Sequence, residues 1–111
     1  MTEKDLELLY IGIHLAASKS KSYQDAVTRR FQTLIHFLQN EGLTTREVLA
    51  KNHVPDSEFR LMKSDLTRDG FELFKRGVDK WTRKVTDPHS GVPLEDTSIL
   101  EHELAKIRGE K

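Results

Sequence analysis

The sequence predicts an all-α fold: a compact bundle of about five helices with short loops, formed by residues 1–111 as a single helical domain. Two observations carry this prediction. Apolar residues recur every three or four positions over several long stretches, which is the spacing of one face of an α-helix. Ser, Thr or Asp precedes most of these stretches and glycine follows some of them, and these residue types mark helix ends.

The first predicted helix runs from Thr2 to about Ser18 and is apolar on two sides. One stripe contains Leu6, Leu9, Tyr10, Ile13 and Ala17, and the other contains Leu8, Ile11 and Leu15. A helix that is apolar on two sides must be covered on two sides. It therefore either runs through the centre of the bundle or keeps one stripe for a partner chain, and the second alternative predicts a homodimer through this helix.

The second predicted helix begins near Ser22, because Asp25 follows three residues later, as in a capping box. It ends near Asn40, before Gly42. Its broad apolar face contains Tyr23, Ala26, Val27, Phe31, Leu34, Ile35, Phe37 and Leu38. Arg30 falls within this face. Either its aliphatic stem lies along the apolar surface and its head reaches the rim, or it forms a buried ion pair.

A short third helix is predicted from Thr44 to about Asn52, because Thr44 and Glu47 form a capping box. Val54 is held extended by the proline that follows it. Residues 56–63 could be helical or extended. An irregular or one-turn helical segment fits them better than a strand, because no other stretch offers a convincing strand to pair with.

The fourth predicted helix is Thr67 to Val85, which has the clearest helical period. Its core stripe, within an arc of roughly 80°, contains Phe71, Phe74, Val78, Trp81 and Val85. Gly70 and Gly77 lie seven residues apart and so on nearly the same flank of the helix. Because glycine is unfavourable inside helices, this pair predicts a neighbour in close approach, either the first or the C-terminal helix.

The prolines and glycine of residues 87–93 predict a defined loop rather than a flexible linker. Ser98 and Glu101 then form a capping box for a last helix, which Gly109 ends. Its apolar residues are Leu100, Leu104 and Ile107.

Several kinds of chemistry are not expected from this composition. The chain has no cysteine, its five histidines form neither an HExxH motif nor a close pair, and its six glycines form no phosphate-binding loop. No G-x-S-x-G motif presents a serine nucleophile. We therefore expect a protein that is not an enzyme, with no catalytic residue, no metal site and no cofactor.

The first residues lack the basic and then apolar order of a secretory signal, and no uncharged apolar run has membrane-spanning length. Lys and Arg number 18, and so do Asp and Glu, so the net charge is zero and favours no partner class. These features predict a soluble cytoplasmic protein without a membrane partner.

By elimination, the sequence predicts a protein-binding module, such as an inhibitor or a toxin-neutralising (immunity-type) protein, whose partner is another protein. The residues predicted to contact the partner are Arg76, Lys80, Arg83 and Lys84 on the polar side of the fourth helix, and Glu101 and Glu103 on the last helix. The loop from Pro88 to Leu94 lies between these two groups.

The alternative function is nucleic-acid binding through a degenerate helix-turn-helix in residues 45–70. In that scheme TREVLAK forms one helix, and a proline interrupts the place of the recognition helix. Acidic Glu72 and Asp79 border the basic residues of the fourth predicted helix, and the helix-turn-helix segment shows no marked basic excess. Nucleic acid is therefore the less favoured partner.

Overall fold

A computed structural model describes residues 5–50 and 53–109. The strands and α-helices in these residues are β1 (Glu7–Tyr10), α1 (Ile11–Ala16), α2 (Lys21–Asn40), β2 (Arg60–Met62), α3 (Arg68–Leu73), α4 (Asp79–Thr86) and α5 (Ser98–Gly109), and a short 3-10 turn, Lys63–Asp65, follows β2. A π turn, Phe74–Val78, joins α3 to α4, so residues 68–86 form one composite helix. The described part of the chain is thus predominantly helical, with four helices when the composite helix is counted once, and with one two-stranded sheet.

The expectation of a purely all-α fold is wrong because part of the predicted first helix, Glu7–Tyr10, is a strand, and only Ile11–Ala16 is helical. β1 pairs antiparallel with β2, with Leu9 opposite Leu61 and Tyr10 opposite Arg60. Residues 56–63 therefore contain a strand, and the expectation that it has no partner is also wrong. The pairing joins segments about fifty residues apart, and such a contact leaves no local pattern in either segment. Thr2 lies outside the described residues.

The two apolar stripes of the N-terminal segment do not both become buried. Ile11 at the start of α1 is fully buried, whereas Leu6 is 54% exposed and Ile13 is 65% exposed. The segment therefore does not run through the centre of the core. Whether its exposed residues meet a second copy of the chain stays a prediction.

The third predicted helix is also wrong, because residues 44–50 form no helix. The side chain of Gln39 holds this loop instead. Its Oε1 accepts hydrogen bonds from the Val48 and Leu49 amides at 2.5 and 2.6 Å, and its Nε2 donates to the Leu49 carbonyl at 2.7 Å. Backbone groups that a helix would satisfy are satisfied here by one side chain from α2. The predicted end of this helix, near Asn52, lies outside the described residues.

The predicted α2 is confirmed, with a different capping residue. Ser20, not Ser22, accepts the Tyr23 amide at 3.4 Å. Gly42 has a φ of 71°, the left-handed conformation expected after a helix. The core-facing residues of α2 are Val27, Phe31, Leu34, Ile35 and Leu38, all of which are buried.

The composite helix buries a face that differs from the predicted stripe. Phe71 and Phe74 are only half-buried, whereas Leu73 is fully buried. The buried residues are Gly70, Leu73 and Gly77 in the first part and Val78, Trp81 and Val85 in the second. On an unbroken α-helix, at about 100° per residue, these two groups would be centred roughly 80° apart.

The π turn brings the two groups onto one face. It contains about one residue more than an α-helical turn. The residues that follow it are therefore rotated about the helix axis by about 100°, relative to their positions on an unbroken α-helix. Leu73 and Trp81 consequently belong to the same buried cluster, together with Leu38, Leu100 and Leu104 from α2 and α5. The spacing of apolar residues in the sequence could not reveal the π turn, because apolar residues still recur every three or four positions across it.

Both glycines of the composite helix have close neighbours. A β-carbon at Gly77 would lie 3.2 Å from Cβ of Glu103, so the predicted approach of the C-terminal helix is confirmed there. A β-carbon at Gly70 would collide with the carbonyl oxygen of Leu43. The neighbour of Gly70 is therefore the turn after α2, not a helix.

We expect Gly70→Ala to lower the free energy of unfolding by about 1–3 kcal/mol, which is typical of overpacking. The new methyl group would force backbone atoms at Leu43 to move. This cost exceeds the gain of up to about 1 kcal/mol that alanine brings to a helix. Urea denaturation of the variant and the parent protein measures the difference.

Gly109→Ala is the matched control, because nothing lies within 4 Å of a β-carbon built at Gly109. Its free energy of unfolding should equal or slightly exceed that of the parent. If Gly70→Ala is as stable as Gly109→Ala, the packing of the composite helix against the turn is not as tight as described.

Candidate functional site

Hydrogen bonds tie the loop between α4 and α5 to α4. The indole Nε1 of Trp81 donates a hydrogen bond to the carbonyl oxygen of Asp96 at 2.6 Å. At the other end of the loop, the Ser90 hydroxyl donates to the carbonyl of Lys84 at 2.7 Å. A loop is thus present where the sequence predicts one, and a side chain from the core holds it.

A salt bridge also ties this loop to α2. Arg29 Nη2 lies 2.5 Å from Glu95 Oε2. Both side chains are more than half exposed, so we expect the pair to contribute no more than about 1 kcal/mol to stability. Its main effect is to hold the loop beside the middle of α2.

The four predicted basic residues of the composite helix do not share one environment. Lys80 Nζ lies 2.7 Å from Glu103 Oε1 on α5, and Arg83 Nη2 lies 2.7 Å from Asp79 Oδ2 on its own helix. Arg76 is half-buried and has an interaction partner of its own. Lys84 is exposed. Three of the four cations are thus engaged within the protein.

The two predicted acidic residues of α5 also differ. Glu101 is exposed, and its carboxylate accepts a hydrogen bond from the Thr97 hydroxyl at 3.0 Å. Glu103 is 4% exposed and lies beside Gly77, where it is contacted by Lys80 at 2.7 Å and by Lys106 at 3.5 Å. The hydrogen bond from Lys80 lowers the pKa of Glu103, and the positive charge of Lys106 acts in the same direction.

Glu103→Gln tests this arrangement through its pH dependence. Because the pKa of Glu103 is lowered by folding from its ordinary value of 4.5, the ionised carboxylate stabilises the folded protein above about pH 4.5. That contribution is lost as the pH falls through the lower pKa of the folded state. The parent protein should therefore be more stable than Glu103→Gln near neutral pH, and the difference should shrink in acid. Urea denaturation at several pH values measures it.

Glu101→Gln is the matched control, because it changes the charge of α5 equally at an exposed position. A difference between the parent and Glu103→Gln that stays constant from neutral pH to about pH 3 would contradict the lowered pKa.

A cleft of about 220 Å³ lies between the N-terminal segment, α2 and the composite helix. We call it the Arg30 cleft. Its lining residues are Leu9, His14, Arg30, Phe31, Leu34, Phe74, Val78, Asp79, Trp81 and Thr82. Most of the wall is apolar, and the polar groups are few, which is the usual composition of a ligand site.

Arg30 supplies the charge of this cleft. Its guanidinium carbon lies 5.5 Å from the ring centroid of Phe31, and the residue is half-buried. Burial lowers the pKa of Arg30 from its usual high value. Among the described residues, no carboxylate lies within ion-pair distance of its guanidinium. The buried ion pair considered from the sequence thus finds no partner in this part of the chain.

His14 lies next to Arg30 and packs against the same aromatic ring, with its centroid 5.3 Å from that of Phe31. Burial lowers the pKa of His14, and the positive charge of Arg30 lowers it further. Both effects disfavour the charged form of His14. Its imidazole is a hydrogen-bonding group beside the guanidinium.

Sequence reasoning did not predict the Arg30 cleft as a site. Its residues come from positions 9 to 82, and no local motif connects them. The one available signal was a charged residue inside the apolar face of α2, which is unusual.

A larger hollow, about 640 Å³, lies at the C-terminal end of α2. Its lining includes Gln39, whose amide is already bound to loop backbone, and Arg46, which pairs with Asp65 at 2.9 Å. These polar groups are used within the protein. We therefore regard the smaller Arg30 cleft as the better candidate for a ligand.

No three His, Asp or Glu side chains in residues 5–50 and 53–109 come close enough to hold a metal ion. Within the same residues, no helix has both the length and the apolar character required to cross a bilayer.

No protein-family model, curated protein or solved structure matches this chain.

Proposed function

We propose that this chain is a non-catalytic protein-binding module that covers a site on a partner protein, in the manner of a small inhibitor or a toxin-neutralising (immunity-type) protein. The observation that carries the proposal is the pair of hydrogen bonds that holds the loop between α4 and α5 against α4. A loop that is held in place before binding loses less conformational entropy when it binds, so more of the contact energy appears as affinity.

The proposed contact surface, called the loop surface below, consists of Arg83, Lys84, residues 88–94 and Glu101. The first two and Glu101 are exposed, as are the two prolines of the loop. The hydrogen bonds of Trp81 and Ser90 support the loop from beneath. A loop that is held in place and has charges of both signs at its borders suits recognition of a protein with complementary charges.

Three residues predicted from the sequence are left out of this surface. Glu103 is buried, Lys80 is bound to it, and Arg76 is half-buried with a partner of its own. The pair of Lys80 and Glu103 links the composite helix to α5, whereas Arg83 pairs only with Asp79 on its own helix. In the proposal, the pair of Lys80 and Glu103 holds α5 against the composite helix.

The double substitution Arg83→Glu with Lys84→Glu tests the loop surface. We expect it to reduce capture of the partner protein at least tenfold, because it reverses the charges that a partner would meet. Immobilised parent and variant proteins are exposed to extract of the native host, and the captured proteins are identified and quantified by mass spectrometry. Circular dichroism is used to check that the variant and the parent have the same helical content.

Lys19→Glu with Lys21→Glu is the matched control. It makes the same change in net charge at exposed positions between α1 and the start of α2, and we expect it to capture the partner as the parent does. Equal capture by both double variants would show that the loop surface is not the interface.

Two further measurements separate the alternatives. If the parent captures no protein but shifts DNA or RNA in a gel, with strong weakening by salt, the nucleic-acid alternative replaces this proposal. That alternative has lost the helix expected for TREVLAK, and residues 45–50 are irregular. Light scattering at several concentrations tests the proposed homodimer, to which the exposed Leu6 and Ile13 would contribute.

A further inference from the structure

The Arg30 cleft combines a positive charge with deeply buried apolar walls. Phe31 and Trp81 contribute to its lining although they are only 3% and 1% exposed, so the cleft reaches into the core. The guanidinium of Arg30 lies beside this lining without a carboxylate partner among the described residues. A partly desolvated cation costs free energy unless an anion neutralises it.

The volume of the cleft limits what can enter. It measures about 220 Å³, whereas a buried apolar cavity of about 150 Å³ accepts one benzene molecule. The cleft therefore has room for one ring-sized group with a small polar head. A polypeptide segment or a nucleotide is too large to be enclosed there.

The composite helix has its π turn at this same place. Phe74 and Val78, the first and last residues of the turn, both line the cleft. π turns are rare and frequently lie at functional sites. The position of the π turn does not depend on the charge of Arg30, and it independently favours the Arg30 cleft as a functional site.

We propose that the Arg30 cleft binds a small monocarboxylate with a ring-sized apolar body. The carboxylate pairs with the guanidinium of Arg30, since this planar group donates two parallel hydrogen bonds to a carboxylate. The imidazole of His14, which lines the same cleft, offers one further hydrogen bond. The apolar body lies against Phe74 and Trp81.

Asp79 is the one carboxylate in the lining, and it does not take the place of the ligand. Its Oδ2 lies 2.7 Å from Arg83, and its side chain is 73% exposed, so it belongs to the mouth of the cleft. Its carboxylate at the entrance would repel a dianion more strongly than a monoanion. A ligand with a single negative charge is therefore favoured over a phosphate or a dicarboxylate.

This inference does not rest on the proposed function, because the Arg30 cleft and the loop surface share no residue. If experiments rule out ligand binding by the cleft, the proposal of protein binding by the loop surface is unaffected, and the reverse also holds. The cleft could bind its ligand whether or not the loop surface binds a protein.

Titration with phenylacetate tests the proposal. Trp81 is the only tryptophan of the chain and lines the cleft, so its fluorescence reports on binding, and calorimetry gives a second readout. We expect saturable binding of phenylacetate. Phenylacetamide, which has the same shape and no charge, should bind at least tenfold more weakly, and acetate, which has no ring, should not bind measurably.

Arg30→Gln should weaken phenylacetate binding about 10- to 100-fold, as the loss of a charge-assisted hydrogen-bonded pair predicts, and should leave phenylacetamide binding nearly unchanged. Arg29→Gln is the matched control, since the neighbouring Arg29 is exposed and lies outside the cleft. Arg30→Lys keeps the charge and serves if Arg30→Gln does not fold. It should bind phenylacetate more weakly than the parent but more tightly than it binds phenylacetamide.

Three results would overturn the proposal. The first is the absence of saturable phenylacetate binding by the parent protein. The second is equal affinity for phenylacetate and phenylacetamide. The third is binding of a peptide with C-terminal phenylalanine while phenylacetate does not bind, which would make the cleft a docking site for a protein instead.

Discussion

The hydrogen bond from the Trp81 indole to the carbonyl of Asp96, at 2.6 Å, joins the core of this protein to the loop between α4 and α5. The ring of Trp81 is buried in the core, and it also lines the Arg30 cleft. Its Nε1 leaves the core to hold the loop that leads into α5. A buried indole requires a partner for its N–H group, and the loop backbone supplies that partner. Core packing, loop shape and cleft therefore share one residue.

The position of Trp81 depends in turn on the π turn and on Gly77. The extra residue in the turn rotates α4 so that Trp81 shares a face with Leu73. The missing side chain at Gly77 lets Glu103 approach, and Lys80 then compensates the buried carboxylate. These contacts hold α5 against the composite helix.

Sequence patterns predicted the elements whose order is local and regular. α2, the composite helix and α5 were found because their apolar residues repeat at helical spacing, and Gly42 marked the end of α2. The β1 and β2 pairing was missed because each strand is short and its partner is far away in sequence. Of the candidate sites, the charged loop surface could be suggested from the sequence. The Arg30 cleft could not, since three distant segments form it.

Amide hydrogen exchange in Trp81→Phe tests most directly the claim that Trp81 fixes the loop. Phenylalanine retains an aromatic ring but removes the N–H donor. We predict that the amides of Ser90 and Asp96, which bond within the loop, exchange about fivefold faster, as the loss of about 1 kcal/mol implies. The amide of Leu43, bonded to Leu38 in the core, should keep its protection. Unchanged loop exchange, or an equal increase at all three amides, would contradict the account.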